Sequence, residues 1–232
     1  MKIMTFNIQS GKNYPDIDTI NIRYCAAVIE KYNPDIVGLN EVHDGGKWGY
    51  QTKELAELLG YPYYYFAEAI IAGSPYGNAI LSKYPLKKAE TVMIPDPVKD
   101  EDAYYETRCI LHAVVEGEEE LDVLVTHIGL ANGEKVNAVK TIMSLIGNSP
   151  SRTALLGDFN MHPDNPLLDE FKGVLCDSAN YEKGDYFTFP SDNPAEKIDY
   201  IFLSKDIETK KIIIPEEIGS DHRAYLCEVR FL

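Results

Sequence analysis

Ile36-Val37-Gly38-Leu39-Asn40-Glu41 is the stretch from which the fold of this chain is read. Its apolar run has the length and character of a strand buried on both faces, and it ends abruptly on an amide and a carboxylate. Upstream, Met1-Lys2-Ile3-Met4-Thr5-Phe6-Asn7 is a second apolar strand that also ends on an amide. Between the two a helix is expected, capped by Asp16 or Asp18. Its stripe of Ile20, Tyr24, Cys25, Val28, Ile29 and Tyr32 recurs at three- and four-residue spacing, and Asn33-Pro34-Asp35 stops it. A strand, a crossover helix and a second strand place Asn7 and Glu41 at the same end of neighbouring strands.

Working outward, Gly45-Gly46-Lys47-Trp48-Gly49 reads as a mobile loop. A short helix over 51–59 follows, stopped by Gly60 and Pro62. Strands are expected over 63–67, 79–82, 86–94 and 108–115, then an exposed acidic hairpin tip at 117–120, then a strand over 121–126 ending at His127. A helix over 134–146 carries Val136, Val139, Ile142, Met143 and Ile146 on one face. The strand 153–156 runs into Gly157-Asp158-Phe159-Asn160, and a short helix is expected over 167–171. Further strands are expected over 186–189, 198–203, 207–214 and 224–231. Many strands with few helices in two groups imply an α+β fold, a four-layer α/β/β/α sandwich of two packed mixed sheets flanked by helices. The strand–helix–strand pattern of 3–41 is echoed at 121–157, a pseudo-repeat of two halves. With no linker in view, residues 1–232 are expected to form a single domain.

Composition narrows the function. A net charge of −15 argues against holding nucleic acid or an anionic membrane through a broad basic surface. Hydrophobic content of 45% over 232 residues suffices for a well-buried core. Cys25, Cys109, Cys176 and Cys227 form no CxxC pair and read as reduced, mostly buried thiols. The chain opens directly on a strand without an apolar leader, and no run reaches membrane-spanning length, so a cytoplasmic location is expected.

The polar residues at strand ends are Asn7, Glu41, His127, Asp158 with Asn160, Asp199, and Asp221 with His222. Carboxylates and amides without thiolates suit a hard, oxygen-preferring cation such as Mg²⁺. Two histidines can act as base, acid or stabiliser of phosphate charge. Asp199, between Ile198 and Tyr200, is costly to bury unpaired, which favours a histidine partner. Taken singly, Asn7 could merely end a strand and Glu41 could cap a helix. His112 and His162 read as structural or surface residues, and His43 is close enough to Glu41 to line a site. The aromatic run 61–66 reads mostly as core.

Thr5-Phe6-Asn7, Leu39-Asn40-Glu41-Val42, Tyr76-Gly77-Asn78-Ala79-Ile80-Leu81-Ser82, Thr126-His127, Gly157-Asp158-Phe159-Asn160, Lys197-Ile198-Asp199-Tyr200-Ile201-Phe202 and Ser220-Asp221-His222 occur in this order. In that order they resemble the motifs of the endonuclease/exonuclease/phosphatase superfamily, the DNase-like phosphohydrolases, over nearly the whole chain. The resemblance implies that Glu41 is the principal Mg²⁺ ligand (Mn²⁺ the alternative), with Asn7 and Asp221 completing the metal region. Asp158 and Asn160 would orient the attacking water and the phosphate. His222 would face the scissile phosphate, oriented by Asp199, and His127 would be the second histidine of the DNase- and sphingomyelinase-like branches. Asn78 and Arg108 match weaker phosphate-contact positions, although Arg108 could simply pair with Glu106.

The implied chemistry is metal-assisted, in-line attack of water on phosphorus. Either Asp158 or His222 would take the water's proton, and either His127 or a metal-bound water would protonate the leaving group. The expected activity is a phosphodiesterase or phosphatase acting on a small molecule or a phospholipid headgroup. The alternatives are an endo- or exonuclease of the same fold, which a basic stripe beside His222 would favour, and an inactive binding module, which would have lost strand-end residues. Oligomeric state is not legible.

Overall fold

A computed structural model describes residues 1–71, 73–99, 103–148 and 150–232. The chain opens with β1 (Lys2–Asn7), a small hairpin of β2 (Lys12–Asn13) and β3 (Asp16–Ile20), helix α1 (Arg23–Tyr32) and β4 (Ile36–His43). Helix α2 (Gln51–Leu59) leads into β5 (Tyr63–Ile71) and β6 (Pro75–Ser82). The next strands are β7 (Leu86–Met93), β8 (Cys109–Glu116) and β9 (Glu120–His127). Helix α3 (Asn132–Ile146) then precedes β10 (Thr153–Asp158), helix α4 (Leu168–Val174) and the short β11 (Cys176–Asp177). The chain closes with β12 (Asp199–Leu203), β13 (Ile207–Ile213) and β14 (Tyr225–Phe231).

The large strands form two six-stranded sheets, ordered β13-β14-β1-β4-β6-β5 and β11-β12-β10-β9-β8-β7. In the first, β1 and β4 are parallel and joined through α1. In the second, β9 and β10 are parallel and joined through α3. The other pairings within these sheets are antiparallel, so the internal echo in the sequence is an echo in topology.

Three apolar layers follow from this mixed α+β arrangement. Ile3, Ile36, Ile80, Leu111, Val125, Leu156 and Ile201 fill the space between the sheets. Phe6, Cys25, Ile29, Leu39 and Leu55 seat α1 and α2 on the outer face of the first sheet. Ile142, Phe159, Phe171 and Phe202 seat α3 and α4 on the second. Burying each such side chain contributes about 1.5–3 kcal/mol. Two glycines set how closely the backbones approach. A Cβ on Gly38 would lie 2.5 Å from Leu156 Cδ1, and one on Gly157 would lie 1.8 Å from the Thr126 carbonyl oxygen. Gly157 also holds φ +146°, so the backbone just before Asp158 requires glycine.

The structure departs from the sequence reading in several places. Asp16 to Ile20 does not cap a helix but forms β3, paired with Lys12 and Asn13. Its alternation of Asp and β-branched residues has the strand period. Ile20 and Tyr24 stay 40% and 44% exposed, so they are not part of the buried stripe. The segment 186–189 is not a strand; Phe189 makes one isolated bridge to Glu196. The glycine-rich loop after β4 contains a single tight turn, Gly46–Trp48, whose indole stacks on His43 at 4.4 Å. In the aromatic run, Tyr61 is buried but Tyr63 and Tyr64 are 39% and 43% exposed. Cys25, Cys109 and Cys227 are buried free thiols, and Cys176 is exposed. Among the described residues, no helix is long and apolar enough to cross a membrane.

Candidate active site

Strand register gathers the site. In the second sheet Asp158 lies on β10 opposite His127 of parallel β9 and opposite Asp199 of antiparallel β12. In the first sheet Asn7 pairs in register with Asn40, and Glu41 falls where the β4–β6 register slips between Leu39 and Val42. That bulge, with φ +55° at Glu41, turns the carboxylate out of the ladder. The final loop, held by Ser191 N–H to Asp221 O (2.7 Å) and Ser191 Oγ to Ser220 O (2.6 Å), carries Asp221 and His222 in.

Asn40 fastens the two sheets at this end. Its Nδ2 donates to Asn78 Oδ1 (2.8 Å) and Thr126 O (3.0 Å), and its Oδ1 accepts from the Asp158 amide (2.9 Å). Asn7 Nδ2 makes a second bridge, donating to Glu41 Oε1 (3.0 Å) and Asp158 Oδ2 (3.1 Å). Asp158 Oδ1 accepts from the Asn160 amide (2.9 Å), an arrangement that sets Asn160 at φ +50°. Asn160 Nδ2 donates to Ile128 O (2.9 Å) and lies 3.1 Å from His127 Nε2.

Asp158 Oδ2 then stands between two histidines, 3.5 Å from His127 Nε2 and 3.6 Å from His222 Nε2. At the other nitrogen the two rings meet partners of opposite sign, a carboxylate for His222 and a guanidinium for His127. His222 Nδ1 donates to Asp199 Oδ2 (2.8 Å), which also accepts from Thr188 Oγ1 (2.6 Å). His127 Nδ1 is met by Arg108, whose Nη1 lies 3.0 Å away. Burial alone would discharge His222, but Asp199 and Asp158 outweigh it and push its pKa up to about 10. Burial, Arg108 and His222 together hold His127 well below the usual histidine range. Asp158 itself is pushed up to about 7, by burial first, with His222 opposing and Asp199 adding.

Hydrogen bonds, together with the ion-pair approaches of both histidines to Asp158, thus join Asn7, Glu41, His127, Asp158, Asn160, Asp199 and His222 into one cluster, and Arg108 reaches it through His127. Asp221 lies near enough to Glu41 to raise its carboxyl pKa, after burial and against the hydrogen bond from Asn7. Asn78 Nδ2 donates to Cys109 O (2.9 Å) and its Oδ1 accepts from Asn40, so both ends of its amide meet protein atoms. Asn40 and Thr188 are the site residues the sequence reading did not single out. Asn40 sits beside Glu41 in the motif, which is a signal; Thr188 has no local signal. His112 lies between Glu90 (3.1 Å) and Asp122 (3.1 Å), away from the cluster.

Among the described residues, Asp158, Asp199 and His222 form the one compact group with metal-ligand chemistry. His222 Nδ1 is committed to Asp199 and its Nε2 faces Asp158 Oδ2 at 3.6 Å, so a cation in that group would have to displace the ring proton that the raised His222 pKa favours. Glu41 suits one better: burial and Asp221 both disfavour its charge, and a hard cation on its oxygens would relieve that.

Two sheets whose strand ends gather carboxylates, amides and histidines define the endonuclease/exonuclease/phosphatase class. The model of the Endonuclease/Exonuclease/phosphatase family matches residues 4–222, and the chain belongs to that family. Its members are hydrolases acting on phosphoesters and generally depend on a divalent metal. Solved structures that share the fold include the following three. An endonuclease/exonuclease/phosphatase from Beutenbergia cavernae is 22% identical with a TM-score of 0.81, covering 100% of this chain and 71% of that one. A mannosyl-6-phosphatase from Bacteroides thetaiotaomicron is 19% identical, with a TM-score of 0.79 and 100% of both chains covered. The human Nocturnin catalytic domain is 16% identical with a TM-score of 0.74, covering 100% of this chain and 94% of that one. No curated protein matches significantly.

Proposed function

We propose that the chain is a Mg²⁺-dependent phosphoester hydrolase that directs water at phosphorus in line with the leaving oxygen. The observation that carries this reading is Asp158 Oδ2 held between the Nε2 atoms of His127 (3.5 Å) and His222 (3.6 Å) while Asn7 ties the same carboxylate to Glu41. Asp158 takes the water's proton as the bond from phosphorus to the leaving oxygen breaks, and the departing oxygen takes its proton from solvent. His222 is already protonated and so cannot act as that base, but its charge opposes the negative charge that develops on the phosphate oxygens. Asp199 and Thr188 hold the ring at Nδ1. Neutral His127 donates a hydrogen bond rather than a proton, and Asn160, whose amide nitrogen lies 3.1 Å from His127 Nε2, would contact the phosphate beside it. Glu41, with Asn7 and Asp221, would hold Mg²⁺, with Mn²⁺ as a substitute; when bound the cation supplies charge neutralisation at the phosphate and the leaving oxygen.

A cleft of about 450 Å³ adjoins Glu41, walled by His43, Tyr76, Tyr104 and Glu106. Among the described residues that line it, none is Lys or Arg. Together with the net charge of −15, this supports a small phosphoester over a nucleic acid polyanion. The test is product release from phosphomonoesters, model diesters, inositol phosphates, phospholipids and nucleic acids, each with Mg²⁺, Mn²⁺ or chelator. Hydrolysis of a small phosphoester, abolished by chelator, is expected. Chelator-insensitive activity on every substrate would overturn the reading.

A further inference from the structure

Arg108 is 8% exposed and sits just ahead of β8, with its guanidinium directed inward. Its Nη1 is 3.0 Å from His127 Nδ1, 2.7 Å from Glu106 Oε1 and 3.5 Å from Tyr76 Oη. Glu106 is itself anchored. Its backbone N–H donates to Glu134 Oε1 (2.8 Å) in the first turn of α3, and its Oε2 accepts from Tyr104 Oη (2.8 Å). A buried line therefore runs from α3 through Glu106 and Arg108 to the ring of His127.

The chemistry at the end of that line is constrained. A neutral imidazole has one N–H and one lone pair, whereas a guanidinium has donors only. The Asn160 amide nitrogen lies 3.1 Å from Nε2, so donors face the ring from both sides and it cannot accept from both. Arg108 is a charged donor that cannot become an acceptor, whereas the Asn160 amide is neutral and already has its acceptor in Ile128 O (2.9 Å), so the guanidinium has the stronger claim on the ring's lone pair. The lone pair therefore goes to Nδ1, and the proton sits on Nε2, aimed at Asp158 Oδ2 3.5 Å away. Were the tautomer reversed, a ring N–H would meet the guanidinium and a bare lone pair would face the Asp158 carboxylate.

We propose that Arg108 is a positioning residue for the reaction, acting through His127 by fixing the neutral tautomer that donates from Nε2. Arg108 thus does for the ring's polarity the reverse of what Asp199 does for His222. It reaches phosphate only through that ring. The catalytic consequence rests on the proposed phosphoester hydrolysis; the tautomer does not, and the two are read separately.

The experiment compares the wild-type protein with Arg108→Met and Arg108→Lys by two-bond ¹H–¹⁵N spectra of the histidine rings and by steady-state kinetics. In the wild type, His127 is expected to show a protonated Nε2 and a bare Nδ1. Arg108→Met should release that pattern into a tautomer mixture or an imidazolium and lower kcat by about 10- to 100-fold with KM little changed. Arg108→Lys, which keeps a donor-only cation, should restore much of both. His127→Gln, whose amide N–H stands near the Nε2 position, should retain more activity than His127→Ala, and this reading survives if Arg108→Met does not fold. A wild-type His127 protonated on Nδ1 overturns the proposal. So does an Arg108→Met protein with an unchanged ring and a raised KM, the mark of a direct phosphate contact. If no phosphoester is turned over by any variant, the hydrolase reading fails while the ring spectra still decide the tautomer.

Discussion

His127 and His222 reach Asp158 Oδ2 from opposite sides at nearly the same distance, 3.5 and 3.6 Å, and are buried to the same degree, 5% exposed each. Burial alone would leave both neutral. What separates them lies one residue further back. Asp199 behind His222 makes it an imidazolium, and Arg108 behind His127 keeps it neutral. Identical side chains at equal range thus take different work, set by the partner at Nδ1 rather than by the atom facing the chemistry.

Removing the group between them should cost most. Asp158→Asn cannot accept the water's proton, and a loss in kcat on the order of 10⁴-fold is expected in initial-rate assays. His222→Ala should follow, near ~10³-fold, with His127→Ala smaller at ~10²-fold, because a charge is worth more than a neutral donor in a buried site. Equal losses for the two histidines would erase the distinction between them.

The pH profile of kcat/KM sharpens the comparison further. Asp158 must be ionised, and its carboxyl is raised to about 7, so activity should climb through that region as pH rises. His222 must be protonated, and its pKa is raised to about 10, so activity should fall as pH passes that value. The same shift stabilises the fold. It contributes fully below the ordinary histidine value of 6.5 and is lost as pH rises through about 10. His222→Ala should flatten that part of a denaturant-measured stability curve.

Two structural substitutions complete the series. Asn40→Ala strands the buried Asp158 amide, the Thr126 carbonyl and the Asn78 carbonyl, and should cost about 3 kcal/mol in urea unfolding. Thr188→Val removes one donor from Asp199 and should cost about 1 kcal/mol, with less than a tenfold change in rate.

The strand-end residues were legible in the sequence because a buried strand shows as an apolar run, and the polar residue that ends it is fixed to the sheet edge. The parallel β1–β4 and β9–β10 pairs were legible for the same reason. Their links were not. Asn40 reaches an amide 118 positions away, and Thr188 meets Asp199 from a segment that only looked like a strand. The aspartates of β3 misled because Asp before an apolar run is equally the sign of a helix cap. Arg108 could be noticed at a strand start, but its meeting with His127 depended on the register of β8 against β9, which sets Ile110 opposite Thr126.

The most direct measurement is the imidazole ¹⁵N spectrum of the metal-free protein at about pH 8, with His127 and His222 assigned by substitution. The account predicts one ring with both nitrogens protonated, His222, and one neutral ring with a bare Nδ1, His127. Two rings in the same protonation state, or the two states exchanged between them, would contradict it.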